Sequence, residues 1–540
     1  MDLNQVKRLY HTLKHLKFTQ VYHQIKYRLV NPKRVAIPWK GSFAQVVLVD
    51  FPEKQKSLSL SNDVWSFRFL NLEKSFSEES LDWSFADCGM LWTYNLNYFD
   101  WLHQPGITIE QGLETLSQFY ATSAEKNPII LHPYPTSLRI INTAKFISKW
   151  GVKEDWLYSG LLSDLKFLSS RLEYHLLANH LLENAFALYK GGLITNQKEI
   201  TQKGKKLLIR ELKEQILNDG MHYERSPMYH LIILERLLDT HNFAKAVGDD
   251  LQPVLKSYAV KMTGLALNWK DLDRIPMMQD SAYDIALSVS DVLEYSKRLL
   301  EQDYPPKSND LMDSGYRRLD SGNFTLFANV GPISPSYQPG HAHADELNFE
   351  LFYSGAPLIV DTGVSTYEKN DRRLLERSTS SHNCVVSGTN SSDVWSGFRV
   401  GRRANVKIGA VDDQKLTAEH NGFGTITSRT FDSTVTGEMT ITDELVYQSN
   451  SKGYHGKGFL HFHPDVHLEQ IDEATFLINN QITLSFNSDK YNPSIIELEN
   501  YSYAKGYNKL LDAKVISYSV FEQTKIQIRE SSSTNTISYR

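Results

Sequence analysis

A helical half followed by an antiparallel β half is the architecture this chain predicts, and three observations carry it. Apolar residues recur at i, i+3, i+4 spacing through most of residues 92–302, as amphipathic helices require. Period-2 alternation takes over beyond about residue 316, the pattern of strands with one buried face. Between them, Tyr304-Pro305-Pro306-Lys307-Ser308 reads as a linker. The expected division is an N-terminal extension over 1–90, a helical domain over 91–315 and a β-sandwich over 316–540.

The elements follow in order. Residues 1–30 suggest a basic amphipathic helix (Lys7, Arg8, Lys14, Lys17, Lys26, Arg28) ended by Asn31-Pro32. Residues 40–90 are mixed, with a strand-like piece at Val46-Val47-Leu48-Val49. The periodicity then predicts helices over 137–150, 162–177, 207–217, 229–243, 253–267 and 281–300. So many helices bury their apolar faces by stacking as paired layers, in a solenoid or an α/α toroid. Strands are expected at 324–327, 347–353, 439–442, 476–478 and 482–486, and the tail 531–538 reads as an edge strand or a frayed end.

Composition sets bounds. At 540 residues the chain exceeds one ordinary core. A net charge of −5 argues against a general nucleic-acid binder but leaves room for a local basic groove. Two cysteines, Cys88 and Cys384, exclude a disulfide framework. The basic N-terminal stretch has no apolar core of signal length and no window reaches a membrane span, so the chain as it stands is expected to be cytoplasmic, or periplasmic if a leader has been removed. The 28 Tyr, 25 Phe and 9 Trp suit sugar binding, although β-rich packing uses aromatics equally.

Four constellations carry chemistry. Asn179-His180-Leu181-Leu182-Glu183-Asn184 puts His180 and Glu183 on one face if helical. In Tyr223-Glu224-Arg225-Ser226-Pro227-Met228-Tyr229-His230, Ser-Pro fits a helix N-cap and first residue, which places Tyr229 in the first turn. Arg139, in Tyr134-Pro135-Thr136-Ser137-Leu138-Arg139, could grip a carboxylate or sulfate, or form a structural ion pair. In the β half, His341-Ala342-His343-Ala344-Asp345 reads as the start of a strand with both imidazoles on one face, followed by Asp361 and by His382. Two His and one Asp form a three-ligand set for a divalent metal.

Together these motifs resemble the heparinase II/III-like polysaccharide lyases and alginate lyases of the same architecture. The resemblance implies an incomplete α/α toroid joined to an antiparallel β-sandwich, and β-elimination at a uronic acid in an acidic polysaccharide. It implies Asn179 and His180 as neutralisers of the uronate carboxylate, with Arg139 assisting. Tyr229 is implied as acid, and as both acid and base in syn elimination, and His341 as base in anti elimination. A phenol in that role needs its pKa lowered by cations, for which His180, His230 and Arg225 are the candidates. The resemblance also implies a mainly structural metal at His343, Asp361 and His382, zinc by donor type with calcium or manganese as alternatives. Glu183, Tyr223 and Arg377 are implied substrate contacts. The competing readings are a non-catalytic acidic-polysaccharide binding or assembly protein, a metal-dependent hydrolase, and a glycosidase using Glu183 and Glu224.

Overall fold

The structure is a computed structural model that describes residues 2–30, 32–61, 64–77, 81–301, 310–446, 455–487 and 496–531. The linker at 304–308 and most of the tail at 531–538 lie outside the described residues. Helices come first, then sheets.

The N-terminal region forms two helices, α1 (Leu3–Leu13) and α2 (Phe18–Leu29). Asp2 caps α1 through a capping box with Gln5. Residues 46–49 run as irregular chain, so the strand expected there is absent. A three-stranded antiparallel meander follows (Leu58–Ser61, Val64–Phe69, Leu72–Ser77). It packs on α3 (Met90–Tyr98), where Trp92 meets Phe69 and donates to Leu72 O at 3.1 Å.

The helical body continues with α4 (Ile109–Ala121), α5 (Pro133–Trp150), α6 (Asp155–Ser170), α7 (Ala178–Ile194), α8 (Lys198–Gln215), α9 (Pro227–Val247), α10 (Gln252–Ala266) and α11 (Val289–Leu300). Sequential helices pack as antiparallel neighbours, which is how a row of two-faced helices covers its apolar surface. Two expected helices shrink. The one expected over 162–177 ends at Ser170, and the one expected over 281–300 begins only at Val289. The released segments, 171–177 and 270–288, are loops that carry site residues.

Among the described residues, three larger antiparallel sheets and one two-stranded ribbon (Val394–Trp395 with Arg399–Val400) build the C-terminal half. A five-stranded sheet runs from Asp310–Leu311 through Tyr316–Ser321, Phe324–Asn329 and Phe349–Tyr353 to Ala356–Ile359. An eight-stranded sheet includes Glu438–Val446, whose side chains alternate buried and half-buried. The four-stranded sheet contains Gly456–His461 and Lys509–Val520. Their inner faces share one apolar core that includes Phe349, Phe431, Ile441, Phe462, Ile516 and Ile526. Arg429 crosses that core paired with Asp443 at 2.6 Å, and the Tyr518 hydroxyl donates to the same carboxylate.

Helical body and sheets are bolted together by buried polar contacts. Arg274, on the 270–288 loop, forks onto Glu350 of the five-stranded sheet at 2.9 and 3.1 Å. Glu350 also accepts from the backbone N–H groups of Met277 and Asp361. Arg225 reaches Asn329 and the carbonyl of Pro332. A charged pair lost from water needs this many partners to be tolerated, so the seam has one preferred geometry.

Candidate active site

The site forms where α7 and α9 meet the 341–345 segment of the β half. The chain enters α7 through two successive non-glycine residues with left-handed backbone, Leu177 (φ 63) and Ala178 (φ 52). Such a conformation costs roughly 1–3 kcal/mol per residue and persists only where contacts enforce it. Here Glu224 enforces it. Its carboxylate accepts the backbone N–H of Asn179 at 3.1 Å and the side-chain amide at 2.7 Å. Asn179 is thereby fixed, with one amide N–H left over.

His180, next along, is half-buried and packs on the Tyr134 ring at 4.5 Å. Its Nδ1 lies 3.0 Å from Glu173 Oε1, and Glu173 is itself held by Asn184 Nδ2 at 2.9 Å. Burial alone would lower the His180 pKa. The Glu173 carboxylate outweighs it, with help from Glu224 and Glu183, and the net shift is upward. The imidazole is therefore biased toward its cation, with Nε2 directed away from Glu173.

Ser226 caps α9 by accepting from Tyr229 N at 3.2 Å, with Pro227 at the first helical position, as the Ser-Pro pair predicts. This sets Tyr229 against His341, ring centroids 4.2 Å apart at 36°. The Tyr229 hydroxyl is 3.4 Å from that of Tyr367. The cations expected to lower its pKa do not serve. Arg225 turns to Asn329 and Pro332, and buried His230 is driven down to about 3, hence neutral. Burial, then Tyr507, pushes the Tyr229 phenol well above its ordinary value. It is a protonated hydroxyl at neutral pH.

His341 and His343 do converge, although not on a strand. Residues 341–348 are irregular chain, and the strand starts at Phe349. What aligns the two imidazoles is Asp280 on the 270–288 loop. One carboxylate oxygen lies 2.8 Å from His341 Nδ1 and the other 2.8 Å from His343 Nε2. Arg373 forks onto both oxygens at 2.5 and 2.6 Å. Burial would raise the Asp280 pKa, but Arg373 and the two imidazoles hold it well below the carboxylate range. A carboxylate at Nδ1 puts the His341 proton there and leaves Nε2 as a lone pair.

The residues expected to hold a metal also meet in one place. His382 Nδ1 is 2.8 Å from Asp361 Oδ2, and the His343 and His382 rings are 5.2 Å apart. Burial takes His343 down to about 4, against the pull of Asp280, so it is neutral as a ligand must be. Its Nδ1 and His382 Nε2 are buried without a hydrogen-bond partner among the described residues. Yet no three His, Cys, Asp or Glu side chains among the described residues converge closely enough to hold an ion. Asp361 Oδ2 is occupied by His382 and by Asn348 Nδ2 at 2.7 Å. The donor types fit a divalent ion, on condition that the His382–Asp361 hydrogen bond opens.

Other expected contacts are corrected. Arg139 is fully buried, and its Nε donates to Asp164 at 2.8 Å while its other nitrogen reaches Thr136 and Ile130 O. It is the structural ion pair, not a substrate clamp. Arg377 is also fully buried and donates to Ala342 O at 2.7 and 3.1 Å, bracing the segment between the two histidines. Tyr223 is buried with its hydroxyl on Tyr337 at 2.8 Å. Glu183 is buried 3.4 Å from Arg236, and burial raises its pKa despite that neighbour. With Glu224 committed to Asn179, the carboxylate pair weighed for glycoside hydrolysis has no free member.

Sequence reasoning missed Asp280, Glu173, Tyr367 and Arg373. Each is a single polar residue in a loop or short helix, with no spacing that marks it.

The comparisons with known proteins decide the family. Residues 136–300 match the model described as heparinase II/III N-terminus, and residues 303–539 the one described as heparinase II/III-like, C-terminal. The chain belongs to the heparinase II/III family. A curated relative, the heparin-sulfate lyase of Pedobacter heparinus, is 25% identical over 193 residues, 32% of this chain. The match spans only 28% of that relative's length. Among solved structures, a crystal structure of heparinase III superposes with a TM-score of 0.64 at 16% identity, covering 82% of this chain and 76% of that one. A heparan sulfate lyase mutant from Pedobacter heparinus gives 0.56 at 15% identity, covering 95% and 88%. At such identities the structures establish the toroid-plus-sandwich fold of this heparinase II/III family member.

Proposed function

We propose that this heparinase II/III family member is a polysaccharide lyase that cleaves a uronic-acid-containing acidic polysaccharide by β-elimination. The observation that carries the reading is the Tyr229–His341 stack across the domain seam, 4.2 Å between centroids. One is a neutral phenol on the helical side, the other an imidazole with an open Nε2 on the β side. That sets a candidate acid beside a candidate base.

The chemistry follows from the two electrostatic settings. A uronate C5 proton is weakly acidic because the adjacent carboxylate resists further negative charge. His180, biased toward its cation by Glu173, and the remaining amide N–H of Asn179 offset that charge as it grows on the enolate-like state. His341 Nε2 takes the C5 proton, with Asp280 stabilising the resulting imidazolium. Tyr229 gives its proton to the departing O4. Because its pKa is raised rather than lowered, Tyr229 serves better as acid than as base.

A divalent ion, zinc first by donor type, is proposed at His343, Asp361 and His382. It would add fixed positive charge and brace the loops behind His341. The relative's name makes heparan sulfate the first substrate to test.

The test is a panel of uronate polymers read at the ultraviolet absorbance of the unsaturated product. Turnover that falls at least a hundred-fold in Tyr229→Phe supports the reading. Saturated products, or binding with no turnover on any polymer, would overturn it in favour of hydrolysis or a binding protein.

A further inference from the structure

Away from the catalytic residues, a cavity of about 520 Å³ opens between α1 and the segment 389–402. Lys7, Arg8 and His11 line one wall, and Asn390, Asp393 and Arg402 the other. Among the lining residues Asp393 is the sole acid, and Arg8 Nε already pairs with it at 2.9 Å. The chain as a whole is net negative, so this concentration of cations runs against its average.

The cavity is shaped rather than incidental. Arg402 donates to the Ser391 and Asn390 carbonyls at 2.8 and 3.0 Å, which fixes its guanidinium at the edge. Beside it, a Cβ added at Gly401 would come within 2.5 Å of Asp393 Oδ2 and 3.3 Å of Arg8 Cγ. The Arg8–Asp393 pair therefore closes directly against a glycine.

The same segment leads to the catalytic centre. Val394–Trp395 pairs antiparallel with Arg399–Val400, and Phe398 sits at the turn. Phe398 packs on Tyr367 at 5.5 Å and lies under the Arg373 guanidinium at 5.2 Å. Tyr367 faces Tyr229, and Arg373 holds Asp280. Arg402 follows Phe398 by four residues, no more than roughly 14 Å of extended backbone, so the groove edge lies that close to the ring that packs on Tyr367. One extended sugar chain can cover that distance.

We infer that the α1–Arg402 groove is a distal subsite for a carboxylated or sulfated stretch of the polysaccharide, gripped while another stretch occupies the catalytic cleft. The inference rests on the proposed lyase reading for the identity of the chain. One wall comes from α1, outside the residues matched to either family model, and the other from 389–402, inside the C-terminal match.

The test uses the full chain and the double variant Lys7→Glu/His11→Glu. The expected result is a roughly ten-fold rise in KM for the long polymer, steeply salt-dependent, as expected for one reversed and one added negative charge. Values of kcat, and KM for a fragment just long enough to fill the cleft, should stay at wild-type levels. Gly401→Ala, whose Cβ displaces the Asp393 carboxylate and the Arg8 paired with it without changing net charge, should raise polymer KM in the same selective way. Unchanged polymer KM, or an equal rise for polymer and fragment, overturns the subsite. If the wild-type protein cleaves no uronate polymer, the lyase reading has failed. Equilibrium binding of heparan sulfate then decides the groove by itself: a ten-fold weaker Kd in the double variant supports it, and equal affinity overturns it.

Discussion

Asp280 Oδ2 lies 2.8 Å from His341 Nδ1, while its other oxygen lies 2.8 Å from His343 Nε2. One buried carboxylate thus sets the orientation of the proposed base and of the first proposed metal ligand together. Asp280→Asn should lower kcat by about 10–100-fold, the usual cost of losing an orienting partner. It also strands the buried Arg373 guanidinium, a loss of about 3–5 kcal/mol. Thermal melts and kcat measured below the variant's transition separate the two effects. Because the Asp280 pKa is depressed in the folded state, its stabilisation is present above the unfolded carboxylate pKa of about 3.9 and disappears as pH falls through the folded value. The variant should therefore show a shallower loss of stability below pH of about 4 than wild type. An identical acid profile would remove Asp280 from this role.

Tyr229→Phe deletes one hydroxyl and keeps the ring that packs on His341. General acid catalysis contributes typically 10²–10⁴-fold, so kcat should fall at least about a hundred-fold. The hydroxyl's nearest partner is Tyr367 at 3.4 Å, a weak contact, so the melting temperature should barely move. Near-normal turnover in the folded variant would transfer the acid role elsewhere.

His180 owes its raised pKa to Glu173, against the downward pull of burial. If the imidazolium neutralises the substrate carboxylate, kcat/KM should decline as pH rises through that pKa. Glu173→Gln should move the declining limb to lower pH. The stability linkage has the same sign. A raised histidine pKa contributes stability below the unfolded value of about 6.5, and loses it as pH climbs through the folded value. Rate profiles and melts between pH 6 and 9 check both, and an unmoved limb in Glu173→Gln would sink the assignment.

The sequence revealed the order of helices and sheets because amphipathic periodicity is local, and it revealed the Ser226-Pro227 cap because capping is chemistry between neighbours. Asn179, His180, Tyr229 and His341 stood in dense polar motifs within apolar surroundings, and the structure brings them near one seam. What escaped notice was long-range. Asp280 is 61 residues from His341 and sits just ahead of the helix expected over 281–300, which begins only at Val289, so no periodicity marks it. The 341–345 segment looked like a strand, since alternation continues smoothly into Phe349–Tyr353, yet Asp280 and Arg377 shape it instead. Tyr229 was expected to have cationic neighbours. Arg225 and His230 are adjacent in sequence, but the helix start points one to Asn329 and buries the other.

His343 Nδ1 and His382 Nε2 are the two buried nitrogens without partners in the proposed metal cluster. If an ion belongs there, purified protein should contain about one divalent metal per chain by elemental analysis, with zinc expected from the His/Asp/His donor set. His343→Ala should reduce that content and lower the melting temperature, and chelator should lower the wild-type melting temperature toward the variant's. Equal metal content in both proteins would remove His343 as a ligand.

Arg139 offers a test in the opposite direction, since its fate separates scaffold from substrate contact. The guanidinium is fully buried, donates to Asp164 at 2.8 Å, and shares that carboxylate with Arg34 at 2.6 Å. Arg139→Met fills similar volume but leaves Asp164 with the more exposed Arg34 and the Tyr120 hydroxyl. Breaking one side of a buried pair costs about 3–5 kcal/mol, and the surviving Arg34 should keep the loss toward the lower end. Substrate has no route to a side chain with no exposed surface, so KM for polymer and for short fragments should stay at wild-type values in the folded variant. A lower melting temperature with unchanged KM is the expected pair of results. A KM raised several-fold without loss of stability would return Arg139 to the cleft.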